Sequence, residues 1–86
     1  SCGSQFVPPS VDADCYFLYM LKLRKLPYGS ADGAIQAAHS FCDALSQAPW
    51  TVVLAGLRSG APSLTVEQAA GWLMLSEAAY CPQYTS

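Results

Sequence analysis

The stretch Thr65-Val66-Glu67-Gln68-Ala69-Ala70-Gly71-Trp72-Leu73-Met74-Leu75-Ser76-Glu77-Ala78-Ala79-Tyr80 decides the fold. Its opening Thr-x-x-Gln fits a capping box, in which a threonine hydroxyl and a glutamine side chain satisfy two orphan amides of a helix start reciprocally. A helix is therefore predicted from Thr65 to Tyr80. Val66, Ala69, Leu73 and Tyr80 share one of its faces, while Trp72, Leu75 and Ala79 lie on another. A helix apolar around most of its circumference either sits at the centre of a bundle or leaves an apolar strip uncovered.

Working outward, the prolines act as punctuation. Pro8, Pro9, Pro27, Pro49, Pro62 and Pro82 all fall between helix-like segments, as expected where a missing N–H and a clashing ring end helices. They bound three further helices. The first is predicted from about Ala13 to Leu26, capped by Ser10 or Asp12 after an extended lead, Gln5-Phe6-Val7-Pro8-Pro9. The second runs from about Ala31 to Ser46 behind Ser30, a good N-cap, with Asp32 at the positive end of the helix dipole. The third is short, about Trp50 to Ser59. Val52-Val53-Leu54 is β-branched at its start but shows no alternation and no partner segment, so no strand competes. Gly56 and Gly71 fall inside helices at a propensity cost of about 1 kcal/mol each, read as ordinary tolerance with close helix approach as the alternative.

The expected fold class is all-α: a small four-helix bundle of three long helices and one short. With 86 residues it is one domain, spanning residues 1–86, with 1–11 as an extended lead and 83–86 as a loose tail. A hydrophobic fraction of 52% against 12% charged residues excludes a disordered chain. The longest uncharged apolar stretch, Cys15 to Leu21, is far short of the roughly 18 residues needed to span a bilayer, so no transmembrane segment is expected. A net charge of −2 removes the electrostatic term that dominates nucleic-acid binding, and nucleic acid is excluded as a partner class.

Cys2, Cys15, Cys42 and Cys81 form an even set without the close C-x-x-C pair of a structural zinc knuckle, so disulfides rather than a metal are expected. Two bridges stapling so small a core imply an oxidising compartment, hence a secreted or cell-envelope protein whose signal peptide has been removed. Spacing does not choose among the three possible connectivities. The pairing expected is Cys2 with Cys15 and Cys42 with Cys81. A competing reading takes Ser1-Cys2 as the end of a lipobox, with Cys2 acylated and one cysteine left over.

At about 100° per residue, Ala31, Ile35, Ala38, Cys42 and Leu45 form an inward stripe on the second helix. The first helix is less ordinary. Phe17, Leu18 and Leu21 occupy one side, and Tyr16, Tyr19, Met20 and Leu23, with Leu26, nearly the opposite one. A bundle of four short helices buries only one of these faces readily. Tyr16, Tyr19, Met20 and Leu23 are thus the candidate interaction surface for a protein partner or a second copy, the alternative being that the lead with Phe6 and Val7 covers them. Lys22, Arg24 and Lys25 close the same helix, where cations complement its dipole; a weak interfacial membrane contact is the alternative.

Little in the chain points to catalysis. His39 with Asp43 one turn later has the spacing of a solvated pair, and no nucleophile motif accompanies it, so no catalytic residues and no enzyme activity are assigned. No cofactor is assigned either. A small apolar ligand or haem, held between the first and fourth helices near Tyr16, Met20, Trp72 and Leu75, is the second functional reading. Tyr28, His39, Trp72 and Leu75 are its candidate contacts, since histidine and tyrosine both serve as axial haem ligands.

The order Asp14-Cys15-Tyr16-Phe17-Leu18 with Leu21, Leu26-Pro27-Tyr28-Gly29-Ser30, Cys42-Asp43-Ala44-Leu45, Leu64-Thr65-Val66-Glu67-Gln68-Ala69-Ala70 and Ala79-Tyr80-Cys81-Pro82 resembles the mycobacterial family of small exported proteins called domain of unknown function 732. The resemblance spans roughly Asp12 to Pro82. It implies a secreted or envelope helical protein with a Cys42–Cys81 bridge, and no activity. Cys2 and Cys15 are additional to the usual pair, His39 stands where a small residue is common, and Tyr19, Met20 and Leu23 replace small or polar residues.

Overall fold

The computed structural model describes residues 12–84. Four helices follow one another: α1 (Ala13–Leu23), α2 (Ala31–Leu45), α3 (Trp50–Gly60) and α4 (Val66–Tyr80), with a single 3₁₀ turn at Pro82–Tyr84. The expected helical bundle is present. Of the expected pair of disulfides, one is found among the described residues, Cys42–Cys81, with Cα atoms 5.9 Å apart. The Cys2–Cys15 bridge and the acylated Cys2 fall on a residue outside the described ones, as does the lead with Phe6 and Val7.

Local chemistry sets the helix starts. Asp12 accepts the backbone N–H of Cys15 at 3.1 Å, and Ser30 accepts that of Gly33 at 3.1 Å. Thr65 and Gln68 close the capping box at 3.0 and 2.9 Å. Pro49 begins α3 with no side-chain cap at all.

One helix end differs from expectation. α1 stops at Leu23 rather than Leu26, because Lys25 takes a left-handed φ of 57° and the N–H groups of Lys25 and Leu26 turn back to the carbonyls of Lys22 and Leu21. This is a Schellman-type reversal with lysine where glycine is usual. It returns Leu26, 8% exposed, to the core. After α4, Gln83 and Tyr84 lie in the 3₁₀ turn, and the Tyr84 N–H donates to the Cys81 carbonyl at 3.0 Å.

Both alternatives for the last helix hold in part: α4 packs against α1, α2 and α3, while Val66 and Met74, 46% and 55% exposed, leave an apolar strip uncovered. Phe17, Leu21, Leu26, Ala34, Ala38, Trp72, Leu75 and Ala79 form one core cluster, and Leu45, Val53, Leu73 and Cys81 a second. The Trp72 indole N–H donates to the Pro27 carbonyl at 3.0 Å, pinning the α1–α2 loop to α4. On the covered faces of α4 burial extends to polar residues. Ser76 is enclosed and donates to the Trp72 carbonyl at 2.8 Å.

The helical glycines separate. A Cβ at Gly71 would stand 3.3 Å from a Leu26 methyl, whereas one at Gly56 meets nothing within 4 Å. Close approach explains the first, and the second leaves open space.

Candidate functional site

The two faces expected on α1 resolve into one thick core face with an exposed edge. Phe17 and Leu21 are fully buried, and Tyr16, Leu18 and Met20 are half-buried against the same cluster. Tyr19 is half-buried, and Leu23 is 60% exposed. Of the expected interaction surface, then, two members help to close the core and Leu23 projects freely. Lys22, Arg24 and Lys25 surround it, all exposed.

Trp72 and Leu75 are each 6% exposed, packed into the first cluster. The depression beside Trp72 opens toward α2 and α3 instead. It has a volume of about 360 Å³ and is walled by Pro27, Tyr28, Phe41, Leu57, Leu64 and Trp72 among others. A second lobe of about 470 Å³ continues along the α2–α3 crease past Ala44, Ala48, Val52, Val53, Gly56 and Gly60. Phe41, Leu57 and Ala61 line both lobes, which makes them one groove. No charged side chain lines either. Each lobe falls in the usual range of small-molecule sites.

The sequence reading placed Tyr28 and Trp72 among possible ligand contacts, and both line this groove. His39 does not. It is exposed, and its ring lies 4.2 Å from that of Tyr80. His39 sits two residues from both Ala37 and Phe41, hence about 200° around α2 from either groove residue. The site therefore does not bring His39 and Tyr28 together. Phe41 escaped the sequence reading because the α2 stripe was phased on Ala31 and Ile35. The buried line is Ala34, Ala38 and Leu45, with Phe41 half-buried between them, which is equally helical in spacing.

A protein-family model described as "Protein of unknown function (DUF732)" matches residues 11–83. The chain belongs to the DUF732 family. Comparison with curated proteins and with solved structures gives no match. The Cys42–Cys81 bridge implied by the family resemblance is present in this DUF732 chain, tying the last turns of α2 to the residue that ends α4.

Two titratable side chains of the DUF732 fold stand out. Tyr80 donates a hydrogen bond to the Asp14 carboxylate, joining α4 to the first turn of α1. Burial, that bond and the negative charge of Asp14 and Asp12 push its phenol well above the usual range. Glu77 is 4% exposed, and its Oε1 accepts the Trp50 indole N–H at 3.1 Å. Its Oε2 is buried without a hydrogen-bond partner. Burial pushes the Glu77 carboxyl up from its ordinary 4.5, and the Trp50 bond opposes that rise. Glutamate within a helical pattern reads as a solvent-facing residue, so no sequence signal marks it. His39 and Asp43 are both exposed, and no hydrogen bond or ion pair joins them. Among the described residues no group of three His, Cys, Asp or Glu is placed to hold a metal ion. No described helix is long and apolar enough to cross a membrane.

Proposed function

We propose that this protein is an exported, non-enzymatic binding module of a mycobacterial cell envelope, stapled by Cys2–Cys15 as well as Cys42–Cys81. Its ligand is a small, elongated, uncharged apolar molecule lying along the α2–α3 groove. The observation that carries the reading is the groove itself: two joined lobes, uncharged along their length, opened on the α3 side by glycines. A charged or strongly hydrated ligand would lose its solvation there without any ionic partner. Removing apolar surface from water drives the association, and Tyr28 and Ser63, which line the first lobe, are its hydroxyl-bearing residues to orient one polar end.

The test uses N-phenyl-1-naphthylamine, a neutral apolar probe that brightens out of water. Gly56→Leu fills the second lobe from a position whose Cβ has open space, so the variant should fold with an unchanged circular dichroism spectrum. Probe affinity should fall at least tenfold. Equal affinity in the two proteins, or no brightening with the wild type, rejects the groove as the site.

Protein binding through α1 is a second reading, favoured by the 60% exposure of Leu23 at the end of the Tyr16, Tyr19 and Met20 edge. Replacing Tyr19 and Leu23 by glutamate would then abolish self-association or partner binding while leaving probe affinity intact. Association that survives both substitutions removes this reading.

A further inference from the structure

α3 is the outer wall of the groove, and it is the most lightly held element of the bundle. Val53 is its one buried residue, and it has no side-chain N-cap. The bond from Trp50 to Glu77 is the one side-chain hydrogen bond that it makes to another helix among the described residues. The acceptor is a carboxyl group held almost wholly out of water, with its second oxygen unpartnered. A neutral carboxyl tolerates this position better than a carboxylate, because burial outweighs the Trp50 bond, the one contact here that favours the charged form.

We propose that Glu77 is a proton-operated latch on α3. With the carboxyl protonated, Trp50 stays bonded and α3 closes the groove. When the proton leaves to solvent, the first turn of α3 lifts from α4 so that water reaches the carboxylate, and the lobe lined by Val52, Val53 and Ala48 loses a wall. The backbone of α4 stays in place, because the Cys81 N–H is bonded to the Glu77 carbonyl and Cys81 is bridged to α2.

No charged group compensates Glu77 from any neighbouring element. On α2, His39 and Asp43 are exposed, and Cys42 is held in the disulfide and does not titrate. On α3 the sole charge is Arg58, eight residues beyond Trp50. On α1, Asp12 and Asp14 act on Tyr80. On α4, Glu67 lies in the first turn, and after α4 the exposed Tyr84 is the one ionisable side chain of the 3₁₀ turn. The upward displacement of the Glu77 carboxyl has only burial behind it, so the latch opens as pH rises above the ordinary carboxylate range.

This regulation rests on the groove as the binding site, and two readouts separate the claims. The first is amide hydrogen exchange in α3, at Val53, Leu54 and Leu57, from pH 4 to pH 8, corrected for intrinsic rates. Protection should fall by up to about tenfold per pH unit through the transition while α2 and α4 hold theirs, and Glu77→Gln should abolish the dependence. The second is N-phenyl-1-naphthylamine affinity over the same range, which should weaken in parallel in the wild type and stay flat in Glu77→Gln. Trp50→Phe, which keeps a ring but has no N–H, should lose α3 protection already at low pH. Protection of α3 that ignores pH in the wild type, or that is unaltered in Trp50→Phe, overturns the latch. If exchange behaves as stated and the probe binds at no pH, the latch stands and the groove reading fails; if the probe binds with pH-independent affinity and α3 exchange is flat, the groove reading stands and the latch fails.

Discussion

α3 and α4 are built from similar amounts of apolar residue and end up in opposite situations. α4 opens on a capping box, touches every other helix, buries seven residues and ends on a half-cystine. α3 opens on an uncapped proline, buries Val53 alone, leaves Val52 56% exposed and carries two glycines that meet nothing. The difference teaches that hydrophobicity does not decide a helix's role here. What decides it is how many neighbours share its surface and whether its ends are satisfied. A helix packed against three neighbours is a spine, and one that buries a single residue is a wall that can give way.

The largest expected effect comes from cutting the spine's anchor. Replacing Cys42 and Cys81 by alanine reopens a loop with a sequence separation of 39 and should cost about 4 kcal/mol in denaturant unfolding. A loss below about 1 kcal/mol would mean that α4 is held by packing alone. Next, Leu73→Ala on α4 should destabilise by about 3 kcal/mol, since Leu73 is wholly buried. Leu54→Ala on α3, half-buried, should cost clearly less; equal losses would erase the distinction between spine and wall.

Glu77→Gln probes the bond between the two helices. A folded-state carboxyl displaced upward favours the folded protein fully below 4.5, and that advantage is lost as pH rises through the folded value. The wild type should therefore lose stability across that window relative to Glu77→Gln, and the variant should be the more stable at pH 7. Urea midpoints of the two proteins at pH 4.5 and 7 check the sign.

Two small substitutions sharpen the picture. Gly56→Ala should stabilise by about 1 kcal/mol, because the helix gains propensity and the new methyl meets open space, whereas Gly71→Ala forces Leu26 to yield and should gain nothing. Lys25→Gly should also add roughly 1 kcal/mol by relieving a left-handed φ at a lysine. Thermal midpoints of the three variants distinguish these outcomes.

Much of the fold was legible because its signals are local. The proline spacing, Ser30, Asp12 and the Thr65–Gln68 box mark helix starts through chemistry confined to one turn. The apolar girth of α4 allowed a central place or an uncovered strip, and the helix has both. The end of α1 was not legible, since Lys25 has no composition that announces a left-handed residue. The groove was legible only in part. Tyr28 and Trp72 drew notice as aromatics, but Phe41, Leu57 and Ala61 acquire meaning from how α2 and α3 lie together, a property of two helices at once. Glu77 was the least visible, because burial of a glutamate depends on the neighbours that cover it.

The most direct test of the account is a ¹⁵N nuclear magnetic resonance titration of the disulfide-bonded protein with N-phenyl-1-naphthylamine at pH 5. Shift changes should concentrate at Tyr28, Phe41, Val53, Leu57 and Ala61, around both lobes of the groove, and leave the α1 edge from Tyr19 to Leu23 unmoved. Changes confined to that edge, or a spectrum that does not respond, would contradict it.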